Sequence, residues 1–190
     1  MNANADEVLR FWFGTTGGMR PEWFRKDAAF DAEIGRRFGA TIEALLNGGE
    51  LAGESAGASR PLLARIVVLD QFTRNAFRDT PRAFAGDPLA LAEARAIVAA
   101  GDDLRLPPEH RLFIYLPFEH AEDLGMQDEA LRLFSALAAE SPAAADLLDY
   151  AQRHRAVIAR FGRFPHRNAI LSRSSTDAEI AFLKEPGSRF

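Results

Sequence analysis

Residues 61–69 read PLLARIVVL, almost uniformly apolar with only Arg65 interrupting, and the chain then turns polar at DQFTRNAFR. A helix that is apolar on all sides is stable only when protein surrounds it, so this stretch has to run through the interior. Asp70, Gln71, Arg74, Asn75 and Arg78 follow at helical spacings of three and four, which gather them on one side of the cylinder. The core helix therefore carries its own polar end, and that end needs partners. Two other segments change character in the same way. In HRLFIYLPFEHAEDL the apolar residues 112–118 precede Glu119, His120, Glu122 and Asp123, with Pro117 expected to bend the helix. In AVIARFGRFPHRN, Val157 and Ile158 lead into Arg160, Arg163, His166, Arg167 and Asn168.

The punctuation between such segments is helical. Asn4 with Glu7 and Thr176 with Glu179 have capping-box spacing, Asp27 can cap a helix running toward Asn47, and Gly14, Gly101 and Gly162 are placed to end helices. Pro61, Asp87-Pro88, Pro107-Pro108 and Ser141-Pro142 mark further starts. The spacing predicts helices over 61–78, 87–101, 107–124, 126–140 and 142–161, with 47–59 as a low-complexity loop and 162–168 as a fixed turn. No stretch alternates with the period of a strand, and Ala and Leu far outnumber β-branched residues. The fold class expected is all-α: about eight helices in antiparallel pairs within one domain spanning 1–190.

Charge is distributed unevenly. The net charge is −4, yet residues 1–149 hold 15 Lys and Arg against 24 Asp and Glu, whereas residues 150–190 hold 8 against 3. The acidic total speaks against nucleic acid as a partner, because phosphate binding needs a basic surface. No apolar run approaches the roughly 20 residues that span a bilayer, and the N-terminus lacks a basic, apolar leader, so no membrane partner is expected. With no cysteine, a cytoplasmic setting is expected and thiolate chemistry is excluded.

Charges attached to core helices either reach water or meet each other, since a buried unpaired charge costs several kcal/mol. The expectation is that they meet. Arg160, Arg163, Arg167 and Arg173 are expected to face Asp70, Glu119, Glu122 and Asp123, with His120 and His166 nearby, Arg74 in the same cluster, and Gln71, Asn75 and Asn168 as orienting groups. Three functions fit such a cluster. It suits a binding module for a small anion or an acidic peptide terminus, with Arg163, Arg167 and Arg173 as cationic contacts, because arginine forks match oxyanions. It suits a hydrolase-like enzyme in which His120 works with Glu119 or Asp123. It also suits a purely structural ion-pair core that orients the helices of a homo-oligomer. No cofactor fingerprint is present, and a metal is not expected, because there is no second Glu-x-x-His to complete a helical-bundle site. His110 and His154 have no companions of special spacing and read as surface or core histidines; Phe11, Trp12, Phe13, Trp23 and Phe24 read as core. Ser174, Ser175 and Thr176 beside Arg173 hint at a phosphate cradle, although capping alone accounts for Thr176.

Taken in order, VLRFWFG, WF at 23–24, LDQFTRNAFR, AFAGDPLAL, FIYLPFEHAEDL, RFGRFPHRN and SRSST resemble the bacterial family of domain of unknown function 924, from about residue 8 to 184. The resemblance implies an all-helical architecture related to tetratricopeptide-repeat proteins, without an activity, cofactor or substrate to carry over. Two positions depart from the family pattern: Thr73 stands where proline is expected, and Ser172 where glycine is expected.

Overall fold

The structure is a computed structural model, and it describes residues 2–53, 59–141 and 144–188. The chain is all-α. Its helices are α1 (Ala5–Phe13), α2 (Ala28–Leu46), α3 (Ser59–Ile66 continuing through Val67–Phe72 and Thr73–Ala76), α4 (Asp87–Ala100), α5 (Pro108–His120), α6 (Leu124–Glu140), α7 (Ala145–Phe161) and α8 (Asp177–Phe182). Short 3₁₀ turns at Pro21–Phe24, Pro81–Phe84, Asp103–Arg105 and Pro165–Arg167 join them. Among the described residues the only strand-like pairing is a single bridge between Asn4 and Ala52.

The caps expected from the sequence form. Asn4 and Thr176 each make a complete capping box, Asp27 accepts from Ala29 N and Phe30 N, and Gly14, Gly101 and Gly162 terminate helices at positive φ. Two boundaries differ from expectation. The helix expected to reach residue 124 stops at His120, because Asp123 turns out of helical geometry and caps α6 by accepting from Met126 N at 2.9 Å. Helix 126–140 accordingly begins at Leu124, so Gly125 lies inside a first turn rather than at a helix end. Part of the expected 47–59 loop, residues 54–58, and the start at 142 fall outside the described residues.

The chain divides into two compact units, Met1–Arg78 with Arg82–Pro117, and Asp79–Pro81 with Phe118–Phe190. In the first unit α3 is buried as its composition requires: Ile66 through Leu69 and Phe72 have no exposed surface. Aromatic rings fill the space around it, with Phe38 at 4.7 Å from Phe72 and Trp12 edge-on to Phe113 at 5.4 Å. Each such ring contributes about 1.5–3 kcal/mol through burial alone. Phe24 is the exception among the aromatics expected in the core, lying 60% exposed.

Over Val67–Phe72 the α3 helix widens to π geometry, so that Thr73 N donates to Val68 O. Two features accommodate the wide turn. The Thr73 hydroxyl donates to Leu69 O at 2.7 Å, and Gly86, at the start of α4, packs so closely that a Cβ there would stand 2.1 Å from Leu69 O. Thr73, standing where proline is expected, thus keeps its N–H in the helix, which runs on to Ala76.

In the second unit α6 and α7 form a hairpin. Arg155, late in α7, reaches Asp128, early in α6, with Nε to Oδ1 at 2.5 Å, which fixes the pair as antiparallel. Val157, Ile158 and Phe164 form an apolar cluster against which Phe161 and Phe182 pack. Beyond Gly162 the chain has only a short 3₁₀ turn before Thr176, and it is held by the buried Phe164 ring together with polar contacts.

Candidate functional site

The four candidates on α3 find partners inside the first unit. Asp70, fully buried, accepts from Gln71 Nε2 at 2.6 Å and lies 3.2 Å from Arg74 Nη1. Arg74 also donates to both carboxylate oxygens of Asp87, at 2.9 and 3.1 Å, and to Asp70 O at 2.6 Å. Burial alone would lower the Arg74 pKa, but Asp70 and Asp87 outweigh it and raise it. Asn75 Nδ2 donates to Asp31 Oδ1 at 2.7 Å, and Arg78 takes both oxygens of the same carboxylate at 2.7 and 2.8 Å. Asp31 stays below the ordinary carboxylate range even though burial pushes the other way, because these hydrogen bonds favour the anion. The partners Asp31 and Asp87 carry no signal in the sequence: the first lies 44 positions from Asn75.

The candidates of the second unit converge around the irregular segment. Glu122 anchors it. Its two oxygens take Arg173 Nη1 at 2.6 Å and Nη2 at 2.9 Å, and Oε1 accepts from Phe164 N at 2.8 Å. Burial alone would raise the Glu122 pKa; these donors reverse the shift and hold it low. Arg173 completes its fork by donating to Asn168 Oδ1 at 2.9 Å and Phe164 O at 3.1 Å, while Asn168 donates to Ser175 Oγ at 3.0 Å. Arg163 pairs elsewhere: Nε and Nη2 close on the two oxygens of Glu179 at 2.7 and 2.9 Å, and Nη2 also reaches Ser174 O at 2.8 Å. The Arg163 hydrogen bond is the main reason the Glu179 carboxyl is pulled down to about 2.

Around Phe164 the histidines gather. Arg167, 6% exposed, lies over the Phe164 ring at 4.5 Å. His166 sits 5.6 Å from the same ring by centroids, His154 packs edge-on to it at 5.4 Å, and His120 is 6.5 Å from His154. His154 Nδ1 lies 2.9 Å from Tyr150 O and 3.1 Å from Glu119 Oε1. Two acceptors at Nδ1 fix the tautomer with the proton there. Burial, reinforced by His120, Arg167 and His166, carries the His154 pKa down to about 3 against the pull of the Tyr150 carbonyl. Burial and then Arg167 take His166 down to about 4. Both are therefore neutral imidazoles at neutral pH. Beneath them Gln127 Nε2 gathers Glu119 O at 2.6 Å and Ala121 O at 2.8 Å, which ties down the end of α5 that bears Glu119 and His120.

Several expectations change. Arg160 is exposed and stacks on Phe161 and Phe182 at 4.7 and 5.7 Å, so it belongs to an apolar contact with α8 rather than to an ion pair with the acidic ends. Arg163 meets Glu179, which the sequence offered only as half of a capping box; Glu179 does both, accepting also from Thr176 N at 2.7 Å. Asp123 is a helix cap. Glu119 meets His154, a residue without any sequence signal because its companions lie on other elements. Thr176 serves the capping box of α8. Ser172, standing where glycine is expected, adopts φ +54°, the left-handed region in which glycine is favoured. Among the described residues no three His, Asp or Glu side chains are grouped to hold a metal ion, and no helix is long and apolar enough to cross a membrane.

These features define an all-helical protein whose C-terminal region is organised by partly buried ionic forks and neutral histidines. The chain belongs to the family described as bacterial protein of unknown function, DUF924, whose model matches residues 8–187. It is also similar to the solved structure of a protein of unknown function from Agrobacterium tumefaciens, with 37% identity, a TM-score of 0.80, and coverage of 95% of this chain and 96% of that one. Among curated proteins none matches the chain.

Proposed function

We propose that the protein is a binding module for a small anionic ligand or an acidic peptide terminus, with Arg167 as its cationic contact and His120, His166 and Asn168 around it. The observation that carries this reading is the concentration about Phe164 of a buried guanidinium, Arg167, a half-buried imidazole, His166, and a buried one, His154, which His120 in turn approaches. Arg163 and Arg173 enter differently from what the sequence suggested. Their forks close on Glu179 and Glu122, so their role is to hold the turn that presents Arg167. We take the helix pairs to follow a tetratricopeptide-like arrangement, and the absence of cysteine favours the cytoplasm. The test is a thermal-shift screen of oxyanions and acidic peptides. Stabilisation that disappears in Arg167→Gln but survives in Arg160→Gln supports the reading; a screen without any stabilising anion refutes it.

A second reading, proton-transfer catalysis, has one observation in its favour: Glu119 orients His154 in the manner of a carboxylate that fixes the tautomer of a general base. It involves His154 in addition to the His120 suggested by the sequence. A base whose pKa lies near 3 accepts protons poorly at neutral pH, so the binding reading is preferred. Hydrolysis of a panel of activated esters and phosphoesters, lost in His154→Gln and in His120→Gln, would reverse that preference.

A further inference from the structure

The charge balance around Phe164 restricts how an anion can enter. Within the second unit Glu119 and Glu122 contribute two carboxylates, and Arg167 and Arg173 contribute two guanidiniums. His154 and His166 are neutral, so beside the two guanidiniums stand two carboxyl groups and no imidazolium from either of these rings. An anion added in poorly solvated surroundings needs a compensating positive charge. Histidine is the side chain that can supply it near neutral pH, and His120, His154 and His166 all lie in this cluster.

They are not equivalent. His154 on α7 is buried, and its Nδ1 proton is committed between Tyr150 O and Glu119. His120 ends α5 at 6.5 Å from His154. His166 lies in the turn, adjacent in sequence to Arg167 and against the same Phe164 ring. The charged and titratable groups around it are Arg167 and Arg173 from its own segment, Glu122 and His120 from the end of α5 and the loop beyond, and His154 from α7. Arg167 is the main electrostatic reason, after burial, that His166 gives up its proton. An anion seated on Arg167 cancels that repulsion and adds an attraction of its own.

Building on the anion-binding reading, we propose that the second unit takes up a small oxyanion together with one proton, and that His166 holds the proton. The ligand class is an oxyanion small enough to share Arg167 and His166, carboxylate or tetrahedral, and its affinity rises as pH falls.

Sulfate is the first probe, since it keeps both charges between about pH 5.5 and 7.5 and any pH dependence then belongs to the protein. Acetate, largely ionised over the same range, is the carboxylate arm. The expected result is that affinity for one or both rises by up to about tenfold per pH unit on acidification. Calorimetry in buffers of different ionisation heat should then record uptake of about one proton per anion bound. Preference for sulfate assigns the natural ligand to the tetrahedral oxyanions, and preference for acetate to the carboxylates. In His166→Gln the pH dependence should flatten to less than about twofold across the range, the linked proton having no site. Binding of either probe without proton uptake overturns the proposal and leaves the anion-binding reading intact, as does a pH dependence undiminished in a folded His166→Gln. Failure of both probes to bind the folded, unaltered chain overturns both. If His166→Gln does not fold, the proton count on the unaltered protein decides.

Discussion

In the first unit, Asp70, Arg74 and Asp87 neutralise one another on a helix that Leu69, Phe72 and the surrounding aromatic rings already bury. In the second, Glu122, Arg173, Arg163 and Glu179 hold a segment with little regular structure between Gly162 and Thr176. The same ionic forks thus do different work. Where apolar burial already fixes the backbone, a buried pair mainly avoids the cost of an unpaired charge. Where the backbone is irregular, the pair selects its conformation, and removing one partner loses the shape along with the contact. The second unit should also respond more strongly to acid, because its two deeply shifted histidines add to its carboxylates.

The largest expected contrast is therefore with pH. His154 and His166 have folded pKa values below the ordinary histidine value, so the unfolded chain binds more protons and stability falls as pH drops from about 6.5 toward 4. Together they should cost the second unit on the order of 5 kcal/mol by about pH 4. Glu179 extends the loss below the ordinary carboxylate value and down toward pH 2. Hydrogen exchange at acidic pH should show α6 and α7 losing protection well before α3, although the lowered His110 gives the first unit a smaller response of the same sign. Equal loss in both units would break the comparison.

Phe164→Ala should come next, at about 3–5 kcal/mol, since the ring is fully buried and supports Arg167, His154 and His166 together. Its counterpart in the first unit is Gly86→Ala, expected to cost about 3 kcal/mol in chemical denaturation, because the new methyl group would collide with Leu69 O. Arg173→Gln should cost about 2 kcal/mol by leaving Glu122 without its charged partner. Crystallography of that variant should show residues 162–175 rearranged, whereas Arg74→Gln leaves the α3 backbone in place. Ser172→Gly is the smallest change and runs the other way: relief of the left-handed conformation should stabilise by about 0.5–1 kcal/mol in the same denaturation assay.

How much of this was legible in the sequence follows from the range of the signals. Caps and helix ends are local, so Asn4, Asp27, Gly101, Gly162 and Thr176 could be read directly. The buried and polar halves of α3 were equally visible, because both follow from spacing along one helix. Partner choice was not. Asn75 could be seen to need a partner, yet nothing near it in the chain points to Asp31, and the acid that takes Arg163 was already explained by its cap. His154 was missed for the same reason: its proximity to Glu119 is a property of how α7 packs, not of any local pattern. Arg160 was misread because its nearness to Arg163 in sequence suggested a shared direction, whereas α7 ends at Phe161 and the left-handed Gly162 turns the chain between them, leaving Arg160 against Phe182 and Arg163 against Glu179.

The widened turn at Val67–Phe72 has one more consequence. Each residue of a helix advances the side chains by about 100° around the axis, so a π turn acts as one extra residue absorbed without lengthening the ladder. Deleting a single amino acid within this stretch would leave the later side chains in phase, whereas winding all of its residues as ordinary α-helix would swing every later side chain of α3 by that angle. Arg74 would leave Asp87 and Asn75 would leave Asp31, although none of the four had been touched. The irregularity is in effect the phase setting of the helix, and the aim of its charged face depends on it.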